Sequence, residues 1–130
     1  MKGEKGQRPK RADRVAERLR AELMELLLRG AVRDPAVEGC FISAVELSDD
    51  LQHARIYVRM GDGQEGDAAE LRGREAVAAL ERAAGFIQRR LSPRLELKYQ
   101  PRLRFYWDRS VDQARRVDEL LDEIASDRED

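Results

Sequence analysis

The sequence predicts an α+β domain built in two layers, and three stretches carry that prediction. Residues 11–29 repeat apolar side chains at helical spacing. Residues 39–60 hold two alternating runs joined by a short polar turn, and residues 94–107 alternate between an apolar and a largely basic face. Strands with one polar face need a cover on the other, and amphipathic helices supply it. At 130 residues the chain is long enough for one domain with its own core.

Residues 1–10 are polar, with two glycines and Pro9, and are expected to form a flexible basic arm. The folded domain is expected over residues 11–125, followed by a disordered acidic tail at 126–130. In the first helix Val15, Leu19, Leu23, Leu26 and Leu27 make one stripe, and Gly30 stops it. Asp34-Pro35 marks the next connection. In GCFISAVELS, Phe41, Val45 and Leu47 are expected to point one way with Ser43 between them. SDDLQ (48–52) is a turn by composition. In HARIYVRM, Ala54, Ile56, Val58 and Met60 share one face, and Arg55, Tyr57 and Arg59 share the other. The two runs read as a hairpin.

A second helix follows the loop GDGQEGD (61–67), with Asp67 as its expected cap and Glu70 three residues on. It runs to about residue 84, meets Gly85 and resumes to Leu91, where Ser92-Pro93 is expected to end it. A glycine inside a helix costs roughly 1 kcal/mol against alanine, so Gly85 asks for a reason. In the expected strand 94–107, Leu95, Leu97, Tyr99, Leu103, Phe105 and Trp107 lie on one face. Arg94, Glu96, Lys98, Gln100, Arg102, Arg104 and Tyr106 lie on the other. Pro101 lacks an N–H and favours an edge or a bulge. Ser110 to Gln113 fits a capping box, and Ala114, Val117, Leu121 and Ile124 give a short C-terminal helix with an acidic outer face.

The net charge of −1 hides strong segregation. Residues 1–30 carry nine Lys/Arg against five Asp/Glu, residues 31–84 six against eleven, residues 85–109 seven against two, and residues 110–130 three against eight. Basic segments on a folded chain are the electrostatic footprint of a polyanion partner. Arg11, Arg14 and Arg18 share a face of the first helix. The hairpin face Arg55, Tyr57, Arg59 and the even face of the last strand are expected to form one surface of arginines and tyrosines. Guanidinium groups suit phosphates and rings stack on bases, although solvated sheet faces also carry Lys and Arg for solubility.

Catalytic patterns are missing from the sequence. His53 has no thiol or second histidine at zinc-ligand spacing, no serine sits in a nucleophile elbow, and no glycine-rich phosphate loop occurs. Asp49-Asp50 reads as a turn former. The sole cysteine, Cys40, excludes an internal disulfide and reads as a small buried hydrophobe. The chain is therefore expected to be a non-enzyme with no metal, cofactor or small-molecule substrate. Without a membrane-length apolar run or an apolar leader, it is expected to be cytoplasmic.

Four stretches, in order and correctly spaced, resemble the bacterial ribosome-binding factor A family. RADRVAERLRAELMELL looks like its first helix, DLQHARIYVRM like its D-L-x-x-A-x-V-Y-V strand entry, and AAGFIQRRL like its A-x-G-x-I-R-x-x-L segment. LELKYQPRLRFYWDRSVDQARRVDELL is similar to its L-R-x-x-P-x-L-x-F-x-x-D-x-S run. The resemblance covers about residues 11–124 and implies a type II KH-like fold, α-β-β-α-kink-α-β. An interhelical Ala-x-Gly at Ala83-Ala84-Gly85 then replaces the GxxG loop that clamps RNA in KH domains. A literal GxxG at Gly63–Gly66 is set aside, because it joins a strand to a helix and is flanked by Asp62 and Asp67. Gly85 is expected to let the chain turn and another backbone approach, so that Gly85→Val damages folding or subunit binding far more than Gly63→Val.

The resemblance further implies an assembly factor, linked to growth in the cold, that acts by binding. Its partners would be the free, immature 30S subunit and its precursors, and it would assist late maturation and processing of 16S rRNA near the 5′-terminal helix region. The expected rRNA-binding residues are Arg11, Arg14, Arg18, Arg89, Arg90, Lys98, Arg102 and Arg104, on a monomer. Gln88 departs from the family, which usually has arginine there. The rival expectation is a protein-interaction module that docks a basic ribosomal protein through its acidic segments.

Overall fold

Six elements fold against one another in the computed structural model, which describes residues 10–61, 66–110, 120–122, 124 and 125. They are α1 (Arg11–Leu28), β1 (Cys40–Leu47), β2 (His53–Met60), α2 (Gly66–Arg82), α3 (Ala84–Leu95) and β3 (Arg102–Trp107), with a 3-10 turn at Pro35–Val37. The expected arm up to residue 9, the tail at 126–130, the decoy loop 62–65 and the capping-box partner Gln113 lie outside the described residues. So do Ala114 and Val117. Of the C-terminal helix, Leu121 and Ile124 are described, and both are exposed.

The first helix follows its sequence closely. Ala12, Ala16, Leu19, Leu23 and Leu26 are its buried face, and burying one leucine contributes about 1.5–3 kcal/mol. Its end is a Schellman motif. The Gly30 N–H donates to Leu27 O and the Ala31 N–H to Leu26 O, at 3.0 and 3.1 Å. That geometry requires Gly30 at φ +70°, a left-handed conformation glycine adopts without strain.

The sheet order is β1-β2-β3. β1 and β2 form the expected antiparallel hairpin, whose turn is fixed by Asp50 Oδ1 accepting from Ser48 Oγ and the Gln52 N–H. β3 pairs with β2 in parallel, after the chain has crossed over through α2 and α3. Ile42, Ile56, Val58, Leu103 and Phe105 point from the sheet into the core, where they meet Leu19, Leu23, Leu80, Ile87 and Leu91 from the helices. Cys40 is buried with them, and desolvation pushes its thiol up to about 11.

Three expectations are corrected by the structure. First, Phe41 does not share a face with Val45 and Leu47. The register shifts between Ile42 and Ala44, so Ser43 is an extra residue that inverts the alternation. Ile42, Val45 and Leu47 turn towards the core, whereas Phe41, Ala44 and Glu46 lie opposite the outward Arg59, Tyr57 and Arg55.

Second, the last strand does not begin at residue 94. α3 continues through Ser92 and Pro93 to Leu95 and stops at Glu96, whose φ is +54°. Ile87, Leu91 and Leu95 are buried four residues apart, a spacing that competes with the strand-like alternation of 95, 97 and 99. Tertiary bonds decide between them: Arg18 Nη2 donates to Arg94 O at 2.8 Å, and Arg94 Nη1 reaches Glu22 and Glu25 at 3.2 Å each. A proline in a last turn removes one helical bond, which these contacts offset. Tyr99, expected on the apolar face, is 64 % exposed. Third, α2 starts at Gly66, so Asp67 lies in its first turn rather than before it. Glu70 accepts from Arg74 and Arg109.

α2 buries Ala69, Gly73, Ala76, Ala79 and Leu80. Small residues let it lie close to the sheet. β3, at the sheet edge, has its Phe105 N–H capped by Glu81 Oε2 from α2 at 2.6 Å, which satisfies a donor that an edge otherwise leaves open.

Candidate nucleic-acid interface

The parallel register of β2 and β3 builds the sheet surface that the alternation anticipates. His53 lies beside Arg102, Arg55 beside Arg104 and Tyr57 beside Tyr106. All point away from the helices. The two tyrosine rings are tilted by 31° with centroids 5.7 Å apart, within the range of favourable aromatic pairs. Arg55 leans to Glu46, at 4.0 Å, and the Tyr57 hydroxyl donates to the same carboxylate at 3.3 Å. Burial and the neighbouring Glu46 push the Tyr57 hydroxyl above its ordinary pKa, so it stays a neutral donor. Among the described residues, Arg102 and Arg104 have no carboxylate partner. Two unneutralised guanidinium groups in line with an aromatic pair along β3 can grip phosphates while the rings meet bases or riboses.

One end of this surface is pinned by Asp108. Its Oδ2 accepts from Ser43 Oγ at 2.5 Å and its Oδ1 from the Ser110 N–H at 2.9 Å. Its backbone oxygen accepts from Arg59 Nη1, and the Arg59 guanidinium lies 5.3 Å from the Trp107 ring centre. The D-x-S signature thereby ties the end of β3 to the β1 bulge. Partial burial raises the Asp108 pKa, but the hydrogen bonds from Ser43 and Ser110 outweigh it and hold the carboxyl below its usual range. A depressed folded pKa means the stabilisation is present above the unfolded value and is lost as pH falls through the folded one. Asp108→Ala is expected to cost about 1–3 kcal/mol at neutral pH and to flatten the acid limb of stability. Urea titrations of both proteins at neutral and acidic pH measure this, and an equal gap at both pH values would contradict it.

The junction between α2 and α3 falls at Ala83, with φ −91° and ψ 2°. The expected break at Ala83-Ala84-Gly85 is thus one residue wide and centred on its first member. The expected close approach at Gly85 does not occur. Gly85 is exposed, and a Cβ built there meets only the Arg89 guanidinium, at 3.5 Å. Gln88, one turn on, is partly buried and donates from Nε2 to Pro101 O at 2.6 Å. It holds the α3–β3 connection. Arg89 and Arg90 are exposed beside it, Arg90 stacked 5.5 Å over Phe86.

The remaining expected residues lie elsewhere. Arg11 and Arg14 are exposed on the first turns of α1. Arg18 is engaged by Arg94 O and Glu22 and so closes the α1–α3 seam. Lys98 lies in the connection before β3, over the Tyr99 ring at 5.4 Å. The sheet face collects Arg102 and Arg104, while Arg89 and Arg90 belong to the helix layer. Reasoning along the sequence missed Arg33 and Arg82 beside the junction. Their signal was available only as two isolated arginines in an acidic segment. Among the described residues, no three His, Cys, Asp or Glu side chains converge to hold a metal ion.

The order α-β-β-α-α-β over a mixed three-stranded sheet, with a one-residue helix break where GxxG would stand, defines a type II KH-like domain. The family model described as ribosome-binding factor A matches residues 11–121. Ribosome-binding factor A of Sorangium cellulosum is 44% identical over 115 residues, covering 88% of this chain and 89% of that protein. Its counterpart in Syntrophobacter fumaroxidans is 41% identical, covering 88% and 94%. The crystal structure of ribosome-binding factor A from Thermus thermophilus matches with a TM-score of 0.60 at 26% identity, over 76% of this chain and 98% of that one. The chain belongs to the ribosome-binding factor A family.

Proposed function

We propose that this chain binds the free, immature 30S subunit and assists late maturation and processing of its 16S rRNA, near the 5′-terminal helix region. It acts as a monomer in the cytoplasm and by binding energy alone, holding an rRNA conformation until the subunit matures. The observation that carries the reading is the Arg102/Arg104 face with its Tyr57–Tyr106 pair, on a chain of a ribosome-binding family. Lys98 adds a phosphate contact from the connection before β3, Arg11, Arg14, Arg89 and Arg90 add others from the helix layer, and Arg18 contributes what its bond to Arg94 O leaves exposed.

Sedimentation of cell lysate tests the partner: the protein should travel with free small subunits and not with translating ribosomes. Binding to purified small subunits should weaken steeply with salt, with a log–log slope near −0.7 to −0.9 for each phosphate contact. An affinity that barely moves between low and moderate salt would remove the electrostatic basis of the proposal.

A further inference from the structure

A second cationic feature lies in the helix layer, across the sheet from Tyr57 and Tyr106. The end of α1, the connection to β1 and the α2–α3 junction enclose an open cleft of about 660 Å³. Its walls bring in four guanidinium groups, from Arg29, Arg33, Arg82 and Arg90, against the single carboxylate of Asp34. Its floor is Val32, Ala79, Ala83 and the Phe86 ring. Four arginines on three separate segments repel one another unless something neutralises them. Intramolecular partners do so only in part. Arg29 pairs with Glu25 at 3.0 Å and Arg82 with Asp34 at 3.2 Å. Arg90 rests on Phe86 and has no carboxylate partner among the described residues, and Arg33 is likewise exposed and unpaired there.

Asp34 is itself fully committed. It accepts from the Ala36 N–H and from Arg82, and these bonds hold its carboxyl below the usual range. It therefore remains ionised and orients Arg82 without cancelling Arg33 or Arg90.

We infer that this cleft is a second RNA-backbone site, in which Arg33, Arg82 and Arg90 hold a phosphodiester over the Phe86 ring. Planar guanidinium groups match phosphate oxygens in pairs, and a ring on an apolar floor suits the ribose or base next to that phosphate. The inference rests on the proposed function and extends it. With the sheet face on one side and this cleft on the other, the domain contacts two rRNA segments at once. Its hold on the subunit then depends on their relative placement, as an assembly factor's should. The shared chemistry is a phosphate ester, which a free nucleotide also carries, and the test separates the two.

The experiment uses the full chain, isolated small subunits and the double variant Arg33→Ala/Arg90→Ala. Neither side chain has a carboxylate partner to leave behind among the described residues, and an unchanged thermal unfolding curve verifies the fold. Affinity is read between about 50 and 200 mM salt. The double variant should bind at least about tenfold more weakly, with a salt slope smaller by about 2. A photo-crosslinking residue at position 33 should label rRNA. Unchanged affinity and slope, or crosslinks to ribosomal protein alone, would overturn the inference and remove Arg90 from the contacts of the proposed function, which Arg102 and Arg104 would still carry. AMP in excess should leave subunit binding unchanged. Tight AMP binding that the double variant loses would reassign the cleft to a free nucleotide. If the unaltered chain fails to bind small subunits, the proposed function falls first and the cleft with it.

Discussion

Gly73→Ala should destabilise the fold by about 2 kcal/mol or more, the largest stability effect expected of any single methyl group in this protein. A Cβ at Gly73 would lie 2.1 Å from Trp107 Cε3 and 2.2 Å from Cζ3, far inside van der Waals contact. The indole cannot swing away freely, because Arg59 lies against its ring and α2 packs over it. Either the helix lifts from the sheet or the indole leaves its place. Alanine gains about 1 kcal/mol of helix propensity over glycine, and overpacking a core costs about 1–3 kcal/mol and sometimes more. The severity of this contact places it at the upper end.

The measurement is chemical unfolding of Gly73→Ala beside Gly85→Ala. The second should be neutral or stabilising by up to about 1 kcal/mol, since only a flexible guanidinium end stands near. Adding Trp107→Leu to Gly73→Ala should recover part of the loss, because the two changes share one contact. Equal tolerance at positions 73 and 85 would show that α2 does not need its glycine.

The largest functional effect is expected from Arg102→Glu with Arg104→Glu. Two phosphate contacts are removed and two like charges placed against the RNA, so affinity for small subunits should fall at least about a hundredfold. Folding should survive. Both side chains are exposed, and R104E sits beside Arg55 across the parallel pair, where an opposite charge contributes about 0.2–1 kcal/mol. Reduced binding with unchanged or raised stability therefore isolates the surface from the fold. Undiminished binding would favour the rival in which acidic segments dock a basic ribosomal protein, and charge reversals in those segments would then be the ones that abolish it.

Local rules explain why much of this was legible from residues alone. The α1 stripe and its glycine stop, the hairpin with its aspartate turn, and the outward arginines of β2 and β3 each depend on neighbours within a few positions. Helical and strand periods report such neighbours directly. The helix break at Ala83 was legible for the same reason, because a glycine after two alanines interrupts an otherwise apolar period. The Ser43 bulge was not, since one unpaired residue leaves no mark in the alternation until the partner strand fixes the register. The start of β3 was misplaced because residues 91–99 satisfy both periods. Arg18 and Glu22, some seventy positions away in the chain, settle the choice in favour of helix.

The glycines divide what the sequence determined from what only the tertiary structure decided. By itself the sequence determined the α+β class, the order of elements up to β3, the place of the α2–α3 break and the family, because these follow from local pattern and motif spacing. It directed attention to Gly85 as the glycine with a structural reason. Folding moves that reason to Gly73, since the need for a missing side chain arises from the atom that stands opposite. That atom belongs to Trp107, thirty-four positions along the chain. The same holds for the arginines. Their number and segregation are written in the chain, but which of them face solvent unpaired, on the sheet or in the cleft, depends on the carboxylates that folding brings beside them.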